Sequence, residues 1–154
     1  MRLLKNKYFL FAVIFFTFII DRLFKALVLN FEGFFAIKNV LKINFYQNWG
    51  LALSIPVSPY LIYPLVILIL IIVFYFFVEN LKRNNYFFLW ATGLIFVGAF
   101  SNLIDRLRFG YVVDYLNFIG RFPVFNLADV MIITGVGLIL LAKLKKPDRA
   151  KTAG

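Results

Sequence analysis

Residues 86–104 read YFFLWATGLIFVGAFSNLI and are followed at once by Asp105 and Arg106. At 1.5 Å rise per residue this uncharged stretch makes a helix of about 28 Å, the thickness of a bilayer's hydrocarbon core. Three further apolar stretches flank it, at 8–29, 60–78 and 127–142. The first is clean to Ile20 and then carries Asp21, Arg22 and Lys25, so its far end must face protein or water. The second has Pro64 near its start, where a missing N–H is harmless. The fourth is short and ends where Lys143, Lys145 and Lys146 can snorkel to the interface. The chain is 63% hydrophobic, with 21 Phe in 154 residues. That is more apolar surface than a soluble core of this size can hide. The sequence therefore predicts an all-α integral membrane protein, one domain over 1–154, with four transmembrane helices and outer loops at 30–59 and 105–126.

The basic residues mark topology. Arg2, Lys5 and Lys7 precede the first span, Lys82 and Arg83 join the second to the third, and Lys143, Lys145, Lys146, Arg149 and Lys151 follow the fourth. An even number of spans puts all three groups on one side, and the positive-inside rule makes it cytoplasmic, termini included. Lys38, Lys42, Arg106, Arg108 and Arg121 on the other side weaken the bias without reversing it. A cleaved signal peptide is the competing reading of the N-terminus, but no small-residue cleavage site follows Ile20. The net charge of +10 does not imply nucleic acid, because the basic residues sit at span ends and form no stripe. Residues 41–46 alternate with period two and predict a strand, followed by a turn at Asn48-Trp49-Gly50. Residues 111–118 and 122–125 are candidate edge strands, with Gly110 and Gly120 as breakers. These loops predict a small extracytoplasmic sheet. Residues 147–154 read as a frayed cytoplasmic tail.

The chain has no His and no Cys. That removes a thiol nucleophile, a disulfide, a His-assisted serine triad and any His- or Cys-ligated zinc. Of the common hydrolytic chemistries, carboxylates remain. Only seven acids exist, and Asp21, Asp105, Asp114, Asp129 and Glu79 lie in or beside apolar segments or in the connection 106–125. An ionised carboxylate near hydrocarbon costs about 2.5–3.5 kcal/mol on insertion scales, so each calls for a partner or a task. Asp114 and Asp129 stand out as a pair able to share a proton. With the four-span topology, Asp21, Lys25, Asn102, Asp105, Arg106, Asp114, Asn126 and Asp129 all fall at one depth, the outer interface. Scattered polar errors would occupy both ends.

Each has a plainer reading beside the functional one. Asn102 and Arg106 share a helix face at i, i+4, so an amide and a cation can both address a bound peptide backbone. Asn126 at the start of the fourth span either caps the helix or orients Asp129. Asn48 and Gly50 make a tight turn or a cleft wall. Asp21 and Lys25 at i, i+4 make a helix ion pair or support the site, and Asp105 reads as scaffold. Trp49 and Trp90 are ordinary interfacial aromatics. Two rival functions exist. A small transporter or channel component would use Asp114 and Asp129 as a proton or cation site, but such sites lie nearer the midplane. A structural assembly factor would leave the gathering of two Asn, an Arg and two Asp unexplained.

Four blocks, in order, resemble bacterial lipoprotein signal peptidase (signal peptidase II): Asp21-Arg-Leu-Phe-Lys25; Asn48-Trp-Gly50-Leu-Ala-Leu-Ser54; Gly98-Ala-Phe-Ser-Asn102-Leu-Ile-Asp105-Arg106; and Val113-Asp114-Tyr115 with Phe125-Asn126-Leu-Ala-Asp129. Two departures are visible: Ser101 stands where the family usually has Gly, and Leu53 where it has an aromatic. The resemblance implies an aspartic endopeptidase of the bacterial cytoplasmic (inner) membrane. Such enzymes remove the signal peptide of a prolipoprotein on the N-terminal side of its diacylglyceryl-modified cysteine. It implies Asp114 and Asp129 as catalytic residues, with one protonated and one ionised, and Asn48, Gly50, Asn102, Arg106 and Asn126 at the substrate. Asp21, Lys25 and Asp105 support the site. The expected partners are that lipidated substrate and membrane lipid, with no obligatory protein partner, no cofactor and no metal.

Overall fold

The computed structural model describes residues 6–31, 35–38, 40–50, 57–119 and 123–144. Leu53, Arg121 and the 147–154 tail lie outside them. The chain forms α1 (Lys7–Asn30), β1 (Phe35–Ile37), β2 (Leu41–Asn48), α2 (Pro59–Lys82), α3 (Tyr86–Phe109), β3 (Val112–Phe118) and α4 (Leu127–Leu144). This is a membrane protein whose described residues make four long helices and one small antiparallel sheet in the order β1-β2-β3. Three of the helices, α2, α3 and α4, are long and apolar enough to cross a membrane by length and composition alone. α1 has the length but carries Asp21, Arg22 and Lys25 in its second half.

α1 begins at Asn6, whose side-chain oxygen accepts from the N–H of Tyr8 at 2.9 Å and of Phe9 at 3.4 Å. That satisfies two of the helix's orphan donors. α3 continues five residues past the end expected at 104. The extension is cheap because Asp105 and Arg106 are partnered inside the protein and need not reach water. α3 stops at Gly110, which takes φ 82 and returns its N–H to the Arg106 carbonyl, a left-handed close that glycine adopts freely. Pro64 lies within α2, five residues past its first residue, rather than at a harmless edge. It therefore removes one backbone hydrogen bond from the second turn.

α3 is the central helix and packs against α1, α2 and α4. Its approach to α4 is backbone to backbone. A Cβ on Gly98 would stand 2.5 Å from the Ala128 carbonyl oxygen, and one on Gly135 would stand 2.5 Å from that of Ala91. α2 buries only a stripe, Ile62, Val66 and Leu70, against Leu103 of α3, spaced i, i+4, i+8 as one helix face requires. At the far end of the bundle Leu10 and Ile14 pack on Leu89.

β2 runs to Asn48, two residues past the alternating stretch, and pairs with both neighbours. An irregularity between Ile43 and Tyr46 shifts its register against β3, leaving Tyr46 opposite Asp114 and Asn48 opposite Val112. β3 is an edge strand, as expected. Phe125, by contrast, makes only an isolated bridge to Leu116, too short a pairing to be the second edge strand expected at 122–125. The sheet's inner face, through Val113 and Tyr115, packs on Val28 and Phe24 of α1.

Candidate active site

The end of α1, the start of α2, the end of α3 and the start of α4 meet beneath the sheet, and there the polar residues collect. Asn48, Asn102, Asp114, Asn126 and Asp129 are all buried. Asp114 projects from β3 and receives Asn48 Nδ2 on Oδ2 at 2.9 Å and Asn126 Nδ2 on Oδ1 at 2.7 Å. Asp129 lies in the first turn of α4 and receives Asn102 Nδ2 on Oδ1 at 2.9 Å. Asn126 joins the two acids. Besides its bond to Asp114, it accepts the Asp129 N–H on Oδ1 at 2.9 Å and gives its own N–H to Asp129 Oδ2 at 3.3 Å. It both caps α4 and orients the carboxylates, so the two readings of this residue describe one arrangement.

The pair is electrostatically strained. Burial first, and then the negative charge of Asp129, push the Asp114 carboxyl up from 3.8 to about 7, against the opposing pull of Asn48, Asn126 and Lys25. Asp114 can therefore hold a proton near neutral pH, which an exposed aspartate cannot.

A second layer of charge lies behind Asp129. Lys25 Nζ is 3.1 Å from Asp21 Oδ2 and 2.7 Å from Asp105 Oδ2. Arg22 Nη1 reaches Asp105 Oδ1 at 2.5 Å. Asp105 also accepts the Val113 N–H at 3.2 Å, tying α3 to the strand that carries Asp114. Asp21 accepts from Ser101 Oγ at 2.6 Å, Tyr115 Oη at 3.2 Å and the Ala128 N–H at 3.2 Å. Tyr115 in turn accepts the Leu127 N–H at 3.1 Å, so one phenol and one carboxylate take up two orphan donors at the start of α4. Burial and the neighbouring Asp21 hold the Tyr115 hydroxyl far above its ordinary range, so it stays a neutral donor. The i, i+4 pair Asp21–Lys25 is thus real but is only one edge of a larger network. Asp105 turns away from its sequence neighbour Arg106 to meet α1.

Arg106 faces the other way. Its Nη2 donates to the Gly50 carbonyl at 2.6 Å and its Nη1 to that of Asn102 at 3.5 Å. Its buried Nε has no hydrogen-bond partner among the described residues. Gly50 closes an Asx turn, its N–H donating to Asn48 Oδ1 at 2.9 Å. A cavity of about 150 Å³ opens beside these groups. Asn48, Asn102, Arg106 and Asp129 form its polar wall, and Val66, Ile69, Ile95, Ala99, Val112 and Ile132 the apolar one. Among the described residues no three acids converge as a metal site.

The sequence reading aims the Asn102 amide at a bound peptide, whereas its nitrogen is committed to Asp129. It missed Arg22, Ser101, Tyr63 and Tyr115. Tyr63 donates to the Arg106 carbonyl at 2.9 Å. A lone Tyr or Ser in an apolar stretch carries no signal of such contacts. Ser101, in register behind Asp105 on the α3 face that meets α1, gave the one available hint, as a polar departure from the family's usual Gly.

Helices of this kind, closed at one end by a small sheet over buried acids, define a polytopic membrane enzyme. Two solved structures, each described as a bacterial membrane enzyme determined by the in meso method, at 2.3 Å and 1.9 Å, share the fold. They superpose with TM-scores of 0.81 and 0.76 at 32% identity, covering 94% and 89% of this chain and 93% of each of theirs. The profile of the signal peptidase (SPase) II family matches residues 13–145, and the chain belongs to that family. The lipoprotein signal peptidase of Halothermothrix orenii is 39% identical over 136 residues, 85% of this chain and 92% of the relative. That of Pelotomaculum thermopropionicum is 33% identical over 146 residues, 92% and 95% respectively. The protein is accordingly a peptidase, and membership in this family lends no support to the transporter alternative.

Proposed function

We propose that this peptidase uses Asp114 and Asp129 as its catalytic pair. Its substrate is a prolipoprotein, and it cuts on the N-terminal side of the diacylglyceryl-modified cysteine. The observation that carries the reading is Asn126, which holds both buried carboxylates at once beside a cavity. The ionised acid takes a proton from water as the oxygen attacks the scissile carbonyl. The protonated acid donates a hydrogen bond to that carbonyl as it becomes an oxyanion. Collapse of the tetrahedral intermediate expels the amine, which leaves with a proton from the pair. No metal or cofactor enters these steps.

Asn48, Gly50 and Arg106 frame the peptide, Arg106 through the Nε that no described residue engages, while Asn102 and Asn126 hold the two carboxylates. Val66, Ile69, Ile95 and Ile132 offer apolar walls to its side chains. The basic residues at span ends support a site on the outer face of the bacterial cytoplasmic membrane, both termini inside. There the substrate's acyl chains stay in the bilayer, contributing about 0.8 kcal/mol per buried methylene.

One experiment tests the proposal. Purified wild type, Asp114→Asn and Asp129→Asn are incubated with a prolipoprotein, with and without its diacylglycerol. Either amide should lower the rate by at least about 10²-fold while the protein inserts normally, and the unlipidated substrate should be cut poorly by wild type. Near-normal cleavage by either variant defeats the aspartic pair, and equal rates on both substrates defeat lipoprotein specificity.

A further inference from the structure

We infer that Lys25 is a positioning residue for the reaction: through the Asn102 amide it fixes the orientation of Asp129. The inference rests on the catalytic pair proposed above. Lys25 is 1% exposed, lies on α1, and is not among the residues that line the cavity. It is placed to act through a neighbour rather than on the substrate. Its ammonium has three donors, and three acceptors surround it: Asp21 at 3.1 Å, Asp105 at 2.7 Å and Asn102 Oδ1 at 2.8 Å.

The third contact goes beyond an ion pair. An ammonium can only donate, so it forces the oxygen end of the Asn102 amide toward α1. The nitrogen end must then face Asp129, where it donates to Oδ1 at 2.9 Å. A flipped amide would set NH2 against NH3⁺ and carbonyl oxygen against carboxylate, two repulsions at once. Asn126 also touches Asn102 Oδ1, at 3.1 Å, but its two amide hydrogens are divided among three acceptors. The other two are Asp114 Oδ1 at 2.7 Å and the Val113 carbonyl at 3.3 Å. Asn126 is thus the weaker constraint, and the charge-assisted bond from Lys25 is the stronger. Asp21 and Asp105 hold the ammonium in place and neutralise it against burial.

The test reads kcat and KM separately on a diacylglyceryl-modified prolipoprotein. Lys25→Met removes the donor but leaves Asp21 and Asp105 undercompensated, so the charge-balanced Asp21→Asn/Lys25→Met protein is measured beside it. Folding is followed by detergent-solubilised yield and thermal midpoint. The expected result is a kcat lowered about 10- to 100-fold, the worth of one hydrogen bond to a charged group, with KM within about twofold. An unchanged kcat in a folded variant overturns the inference. So does a fall in kcat that merely tracks loss of folded protein or moves with KM, and so does failure of both variants to fold, since either makes Lys25 structural. Asp114→Asn and Asp129→Asn run in parallel keep the two ideas apart. If they are active, the catalytic pair itself is wrong; if they are dead while the Lys25 variants keep their kcat, only this inference falls.

Discussion

α2 and α3 are both 24 residues long, yet they solve opposite problems. Only 11% of the apolar span of α2 is buried inside the protein, against 50% for α3. Leu61, Leu68, Ile71, Phe74 and Tyr75 all point outward from α2, at no cost in lipid, because hydrocarbon is as good a solvent for them as a protein core. α3 instead carries Ser101, Asn102, Asp105 and Arg106 toward its C-terminal end, every one buried. In a bilayer, apolar residues do not report which face is inside; polar ones do. They report it because each must end on a partner.

The largest effect should come from prising α3 off α4. In Gly98→Ala the new Cβ meets the Ala128 oxygen at 2.5 Å, Ile132 Cγ1 at 2.9 Å and Met131 Cβ at 3.2 Å. Two of these neighbours cannot rotate away, so the helices must separate just where Asn102 reaches Asp129. A shift on the order of 1 Å at such a site costs about 10²-fold in rate. Gly137→Ala on α4 is the control, since its Cβ has nothing within 4 Å. Cleavage rate and thermal midpoint should fall in the first variant and hold in the second. Equal behaviour of the two would mean that the α3–α4 approach does not set the site.

That contrast also marks what was legible in the chain. The membrane class and the isolation of Asp114 and Asp129 could be read because buried charge in an apolar sequence is conspicuous. The pairing of Asn48 with Asp114 could not. It depends on a register shift in β2 between Ile43 and Tyr46, and no local pattern encodes which strand faces which. Likewise i, i+4 spacing brings Asp21 and Lys25 together on α1, but the choice of Asp105 as the second anion on Lys25, from across the bundle, is a property of helix packing. The reach of α3 to Phe109 was hidden for the same reason: Asp105 and Arg106 look like an exit from the membrane until their partners are known.

A smaller, graded effect should follow pH. The Asp114 carboxyl, ordinarily at 3.8, stands at about 7 in the folded protein, through burial first and the charge of Asp129 second. The folded state thus binds more protons than the unfolded one between these values. Stability owed to this group is full below the ordinary carboxylate range, declines as pH rises, and levels off above about 7. Activity should fall tenfold per pH unit on the alkaline side once the shared proton leaves. Thermal midpoints from pH 4 to 8 should slope downward in wild type and lie flatter in Asp114→Asn. A flat wild-type midpoint together with full activity at pH 9 would remove the protonated acid from the mechanism.

The smallest effect belongs to the ion pair at the other end of the bundle. Arg83 Nη2 lies 2.6 Å from Glu79 Oε1 with side chains 72% and 32% exposed, while Lys25 lies 2.7 Å from Asp105 with side chains 1% and 0% exposed. The distances are nearly equal, so distance cannot decide their worth. Water and salt screen the first pair, and both partners are comfortable alone. Glu79→Gln should therefore shift stability by less than about 1 kcal/mol. Asp105→Asn leaves Arg22 and Lys25 short of an anion where water cannot replace it, and should cost about 3–5 kcal/mol. Thermal unfolding of the two variants in the same detergent, at low and high salt, makes the comparison. Similar losses in both would mean that burial is not what separates the two ends of this protein.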